Sequence, residues 1–323
     1  MIEIKNLVKR YGTNRAVDNV SFSVNEGEIV GFLGPNGAGK STTMNILTGY
    51  LSATDGECLI GGVDILQSPI EAKKKIGYLP ELPPVYPEMT VREYLNFVYD
   101  LKKCTLNKKK HIDEICEVVK IADVQHRLIG NLSKGYRQRV GFAQALVGNP
   151  KVMIFDEPTV GLDPVQIIEI RNLIKSLGGN HTVILSTHIL SEVQAVCDRI
   201  VVINKGKVVA NATAKELDKL SSGVNSNFRL KISGVPENVI SALNTVDGII
   251  NTELLSEKCK EEDCNYYMVT GRDDEEIKKK IFFTLASREM AILSFEPCAS
   301  SIEDIFISLV MGDKKEDQKG EEN

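Results

Sequence analysis

The chain has 323 residues, 42% of them apolar and 26% charged, which is enough to build more than one core and is long for a single domain. Its net charge of −5 argues against a nucleic-acid binder that works through bulk electrostatics. No apolar run approaches the roughly 20 residues needed to span a bilayer, and the seven singly scattered cysteines, with no Cys-x-x-Cys pair, point to reduced thiols rather than a disulfide frame or a zinc site.

Residues 1 to about 28 alternate apolar and polar types (Ile2 and Ile4, then Val20, Phe22 and Val24), which predicts short antiparallel strands with one buried face. The opening Met1-Ile2-Glu3-Ile4-Lys5 carries an acid within a strand pattern and is not expected to be a secretory leader. Tyr11 has two readings, a stacking platform for a base or an ordinary sheet residue. The apolar run Ile29-Val30-Gly31-Phe32-Leu33 then leads into Gly34-Pro35-Asn36-Gly37-Ala38-Gly39-Lys40-Ser41-Thr42, and a helix is expected from Ser41 to Leu47. This fits G-x-x-x-x-G-K-[ST] in the strand-loop-helix context that the motif requires. Its glycines let successive N–H groups point inward at a polyphosphate, and the helix adds its positive dipole end. Lys40 supplies a mobile charge for the terminal phosphates, and the Ser41 hydroxyl a hard oxygen ligand for Mg²⁺. By itself the loop indicates a nucleoside triphosphate and no particular chemistry.

A strand pair is expected at 57–60 and 62–65, and Ile76-Gly77-Tyr78-Leu79 reads as a strand ended by Pro80-Glu81-Leu82-Pro83-Pro84. Thr90 and Glu93 form a capping box for a helix bearing Val91, Tyr94, Leu95, Val98 and Leu101. A second helix is predicted from about Lys108 to Val124, and the two look like a helical insertion, about 85–150, in an α/β core. The insertion's lysines read as a solvated helix face. Ser133 caps a helix that ends at Gly148-Asn149-Pro150. Lys151-Val152-Met153-Ile154-Phe155 is of buried-strand type and delivers Asp156-Glu157 at its carboxyl end, the edge at which open α/β sheets bind ligands. Asp163-Pro164 starts another helix that stops at Gly178-Gly179, and a buried strand, Thr182 to Ser186, ends in Thr187-His188. After a strand pair at 200–203 and 207–209, a last helix is capped at 213–216. The polar stretch 221–227 reads as a linker. Beyond it, 228–311 reads βαββαβ with a closing helix over 301–310, the pattern of a ferredoxin-like sandwich. The charged tail 312–323 is expected to be disordered.

A phosphate loop, a Leu-Ser-x-Gly element before a strand ending in Asp156-Glu157, and His188 after the next strand occur in one order. In this the sequence resembles the nucleotide-binding subunit of an ATP-binding cassette (ABC) transporter over residues 1 to about 220. Leu79-Pro80-Glu81 and Leu132-Ser133-Lys134-Gly135-Tyr136 further resemble the multidrug and antibiotic-exporter type. The resemblance implies a P-loop NTPase core with an antiparallel β subdomain and a helical insertion. It implies an ATPase that uses ATP and Mg²⁺ and binds phosphate through Gly34 to Thr42. Asp156 corresponds to the carboxylate of the Mg²⁺ shell, Glu157 to the one that polarises the attacking water, and His188 to the histidine that contacts the γ-phosphate. Tyr11 falls at the adenine-stacking position, and Asp163 in the loop that touches the opposite subunit. Ser133 and Gly135 would complete a second anion site on a partner copy, in a head-to-tail pair enclosing two nucleotides.

Two departures stand out. Lys134 and Tyr136 replace the usual Gly and Gln, with Lys134 either drawing phosphate or pointing to water. Glu81 replaces a Gln that senses metal and water, and a carboxylate there could bind Mg²⁺ directly. The expected partners are a separate transmembrane permease at the inner face of the cell membrane and a second ATPase subunit, with export as the direction and no nucleic acid. A soluble cassette ATPase acting on nucleic acid or ribosomes, and a small-molecule kinase, are the competing readings. Residues 228–311 are expected to serve packing and dimerisation.

Overall fold

The computed structural model describes residues 1–213, 216, 226–255, 263–272 and 275–298. The chain divides into two compact units, with the division between Ala214 and Lys215. In the first unit the strands are β1 (Ile2–Tyr11), β2 (Asn14–Val24), β3 (Ile29–Leu33), β4 (Asp55–Ile60), β5 (Val63–Asp64), β6 (Ile76–Leu79), β7 (Val152–Asp156), β8 (Thr182–Thr187), β9 (Arg199–Asn204) and β10 (Lys207–Thr213). Its helices are α1 (Lys40–Leu47), α2 (Pro69–Lys74), α3 (Val91–Leu101), α4 (Lys108–Val118), α5 (Lys134–Leu146), α6 (Pro164–Leu177) and α7 (Leu190–Val196).

The central sheet runs β10-β9-β3-β8-β7-β6, parallel except for β10, and a four-stranded antiparallel sheet runs β2-β1-β4-β5. Strands β3, β7 and β8 are buried along their whole length, as expected of parallel strands covered on both faces. Side chains alternate across the sheet, so Val30, Phe32, Val152, Ile154 and Ile184 pack with the antiparallel sheet and α1. Ile29, Met153, Phe155, Val183 and Leu185 share the other core with the helical insertion and α6. Both cores therefore grip the three strands that carry the motifs.

Five elements depart from the sequence reading. The N-terminal strands are long, and β1 and β2 pair directly from Ile2↔Val24 to Tyr11↔Asn14. The helix expected to reach Val124 stops at Val118, and a single 3-10 turn follows at Ala122–Val124. Lys120 adopts the left-handed conformation at φ 57°, and its N–H and that of Ile121 turn back to the Glu117 and Cys116 carbonyls, which closes the helix. The short helices α2 and α7 have no counterpart in the sequence reading.

The second unit contains β11 (Ser226–Ser233), α8 (Pro236–Asn244), β12 (Ile249–Leu254), β13 (Cys264–Gly271), α9 (Glu275–Ala286) and β14 (Ile292–Cys298). Its antiparallel sheet runs β12-β13-β11-β14, the order of a ferredoxin-like sandwich. Phe228, Leu230, Ile232, Tyr267 and Val269 form its buried face with Val239, Leu243, Ile277 and Ile281 from the helices. Residues 226 and 227, read as linker, already belong to β11. The rest of that linker, the closing helix over 301–310 and the tail from 312 lie outside the described residues, as do residues 214 and 215 of the cap at 213–216.

Candidate functional site

Strand β3 ends at Leu33 and the phosphate loop turns back over it into α1. Gly39 sits at φ 105° before the helix, where a Cβ would lie 2.5 Å from the Ala16 carbonyl oxygen, so only glycine fits. The Ala38 carbonyl accepts from Gly206 N–H at 2.9 Å and ties the loop to the turn between β9 and β10. Pro35, Asn36 and Gly37 form the outer rim, and Gly34 packs too closely on Ile203 for any side chain. Lys40 opens α1 and is buried. Its ammonium donates to the carbonyls of Gly34 at 2.8 Å and Pro35 at 3.3 Å, and lies 3.5 Å from Glu157 Oε1.

Strand β7 delivers Asp156 beside this loop. The next residue, Glu157, is held at φ 48°, a conformation a non-glycine residue adopts at a cost. Its backbone N–H donates to the Ser186 carbonyl at 2.9 Å, which locks the turn onto β8. Its carboxylate then lies between two cationic or donor groups, with Lys40 at Oε1 and His188 Nδ1 2.9 Å from Oε2. A carboxylate oxygen accepts, so Nδ1 is the protonated ring nitrogen in this contact. Asp156 is buried, and its Oδ1 has no hydrogen-bonding partner in the protein. Burial raises its carboxyl pKa, the Ser186 and Ser41 hydroxyls oppose the shift, and the Glu157 and Glu81 charges add to it. An orphaned, desolvated acid oxygen beside the Ser41 hydroxyl has the donor chemistry that a hard cation requires.

One pocket of about 440 Å³ is lined by Asn36, Gly37, Gly39, Lys40, Ser41, Thr42, Glu81, Glu157 and His188, together with Ala16 and Val160. The phosphate loop, the acidic turn, the histidine and the position after β6 thus converge at the carboxyl edge of the parallel strands. Asp156, Gly34, Pro35 and Ala38 are not among the lining residues, and Tyr11, Asp163, Ser133 and Gly135 do not line it either. Tyr11 closes β1 with 49% of its surface exposed, and the Lys9 ammonium sits 5.4 Å above its ring. Asp163 caps α6, accepting from Gln166 N–H at 2.9 Å. Ser133 caps α5 and shares a second pocket, about 360 Å³, with Gly135, Tyr136 and Gln166. A Cβ on Gly135 would strike the Gln166 amide, so this glycine serves packing within the chain as well. Lys134, although exposed, lays its ammonium over Gly161 in the loop that leads to Asp163. Tyr136 donates from its hydroxyl to Asp123 at 3.1 Å.

Ala16 and Val160 carry no sequence signal and meet the loop only in space. The sequence reading missed the buried acid Glu192 on α7, which accepts from the hydroxyls of Thr159 and, at 2.8 Å, Thr187.

The ABC transporter family profile matches residues 17–160. An ABC transporter ATP-binding protein of Bacillus subtilis, YhcH, is 33% identical over 322 residues, 98% of each chain. This chain belongs to the ABC transporter family. The ABC ATPase is also 39% identical over 221 residues to the bacitracin transport ATP-binding protein BcrA of Bacillus licheniformis, covering 68% of this chain and 72% of that one. Among solved structures, the cassette MJ0796 in a dimeric post-hydrolysis state bound to ADP and Pi matches with a TM-score of 0.60 at 27% identity, over 66% of this chain and 98% of that one. The match to YhcH runs through the second unit. The cassette is an ATP hydrolase, the ATP-binding subunit of an ABC transporter.

Proposed function

We propose that this ABC ATPase drives export through a separate transmembrane subunit at the cytoplasmic face, with two ATPase subunits closing head to tail over two ATP molecules. The observation that carries the reading is the Glu157 carboxylate, held between Lys40 and His188 at the mouth of the phosphate loop. The loop N–H groups and Lys40 bind the phosphates. Glu157 takes a proton from the water that attacks the γ-phosphorus, as the bond from that phosphorus to the bridging oxygen breaks. His188 orients Glu157 through Nδ1 and turns Nε2 to the γ-phosphate. Ser41 and Asp156 would hold Mg²⁺, with Glu81 as a further oxygen donor, and the ion would supply positive charge to offset that of the phosphates. Tyr11 would stack on adenine, a contact worth about 1–3 kcal/mol in base recognition elsewhere.

Ser133 and Gly135 face a different pocket from the phosphate loop, which supports a second copy as the source of the capping anion site. Asp163 lies in the loop that would meet that copy. Leu82, which follows Glu81, and Tyr86, Phe97 and Leu101 expose apolar side chains that could receive a cytoplasmic helix of the membrane subunit. The similarity to a bacitracin transport protein supports a transporter of the antibiotic-exporter type.

The test is the full-length Glu157→Gln variant purified from native membranes. It should lose ~10²–10⁴ in turnover while binding ATP with unchanged affinity, and an integral membrane protein should copurify with it. Ordinary turnover, or copurifying RNA in place of a membrane protein, would contradict the proposal.

A further inference from the structure

Glu192 is the most buried carboxylate of the described residues near the phosphate pocket, with 1% of its surface exposed, yet it does not line that pocket. Both of its oxygens are engaged. The Thr159 hydroxyl donates to Oε1, and the Thr187 hydroxyl donates to Oε2 at 2.8 Å. These threonines belong to the two turns that carry the reacting groups. Thr159 lies in the Glu157-Pro158-Thr159 turn after β7, and Thr187 immediately precedes His188 at the end of β8. Thr187 Oγ1 also accepts from Ile189 N–H at 3.1 Å, so the same hydroxyl braces the backbone on the far side of His188.

The helix that bears Glu192 is itself fixed. Val193 fills the space above Gly31 in β3, where a Cβ would come within 1.9 Å of Val193 Cγ1. A carboxylate in dry surroundings is costly unless its lone pairs are satisfied, and an apolar side chain would fill this volume at lower cost. What only the acid provides is two acceptors at a fixed spacing, one for each turn.

We propose that Glu192 is a positioning residue for ATP hydrolysis. Its carboxylate clamps the Glu157 turn to the His188 turn and so sets the 2.9 Å contact between His188 Nδ1 and Glu157 Oε2. The inference rests on the roles proposed above for Glu157 and His188. A glutamine at 192 keeps the shape but presents one acceptor and one donor, so one threonine hydroxyl loses its acceptor and one turn is released.

The experiment uses the full chain and measures kcat, ATP affinity by titration and the thermal midpoint for Glu192→Gln, Thr187→Val and Thr187→Ser, with wild type and Glu157→Gln in the same series. Glu192→Gln and Thr187→Val should lower kcat about 10–100-fold, the effect of a lost charge-assisted hydrogen bond expressed in the transition state. ATP affinity should stay within about twofold. Thr187→Ser, which keeps the hydroxyl, should restore turnover. In the Glu157→Gln background Glu192→Gln should add no further loss, because its effect passes through the missing carboxylate. Unchanged kcat in Glu192→Gln, or a loss that adds in full to that of Glu157→Gln, overturns the inference. If Glu192→Gln does not fold, the Thr187→Val and Thr187→Ser pair decides by the same criteria. Normal turnover in Glu157→Gln would instead refute the assigned base, a result distinct from either failure of the clamp.

Discussion

Asp156 shows in one side chain how function opposes stability. Its carboxyl is buried, its Oδ1 is unpartnered and its pKa is raised, so the folded state holds a proton more tightly than the unfolded chain does. Below the ordinary value of 3.8 both states are protonated and the residue costs nothing. As pH climbs through the window up to the raised value, the unfolded chain ionises first and the folded state loses ground. Asp156→Asn removes that penalty. In buffer without nucleotide or divalent cation its thermal midpoint near neutral pH should exceed wild type by about 2–4 °C, a gain that vanishes below pH 3.8. Its Mg²⁺-dependent turnover should be lost. Calorimetry across pH checks this, and a lower midpoint at neutral pH would contradict it. At this scale the residues legible in the sequence were those attached to a strand-loop pattern: Lys40, Ser41, Asp156, Glu157 and His188 each follow a recognisable buried strand or open a helix. Glu192 was not legible, because its partner Thr159 stands 33 residues away and nothing local marks the pairing.

Among the elements, the long helices were announced by their caps. The Thr90 and Glu93 capping box, the Ser133 cap and the Asp163-Pro164 start all form as their sequences dictate. The stops were harder to read where no glycine marks them. Helices α3 and α4 are closed by lysines in the left-handed conformation, Lys103 at φ 51° and Lys120 at φ 57°, and a periodic apolar stripe gives no warning of either. Helices α2 and α7, of six and seven residues, are too short to establish a period. Helix α5 has an unusual end of its own. The Lys102 ammonium donates to the carbonyls of Gln144, Ala145 and Val147, at 3.3, 3.4 and 2.9 Å. Burial lowers its pKa from 10.5 to about 8. Above pH 8 the folded state sheds this proton while the unfolded chain keeps it, so the cost of burying the charge falls as pH rises. The stability of wild type relative to Lys102→Met should therefore rise between about pH 8 and 9, a comparison in which the ionisation of the cysteine thiols, common to both chains, cancels. Urea titrations at both pH values measure it, and a difference that is flat or of opposite sign would rule out the buried charge as its source.

For the whole molecule, the parallel core and the antiparallel sheet beside it follow from patterns in the sequence, and the βαββαβ order of the second unit was readable from strand and helix alternation. Strand order in the parallel core was not, since it depends on pairings between distant segments such as β3 with β8. The site shares that divided character. One pocket gathers the phosphate loop, Glu157 and His188, while Ser133 and Gly135 line another. In the proposed head-to-tail pair, a second chain supplies what the first lacks. The most direct measurement is the solution mass of full-length Glu157→Gln by light scattering, with and without saturating ATP and Mg²⁺, beside the same variant carrying Ser133→Glu. The predicted result is twice the mass of one chain with ATP, one chain without it, and no doubling when Ser133→Glu places a charge at the capping helix. A Glu157→Gln protein that binds ATP and stays a single chain at saturation would contradict it.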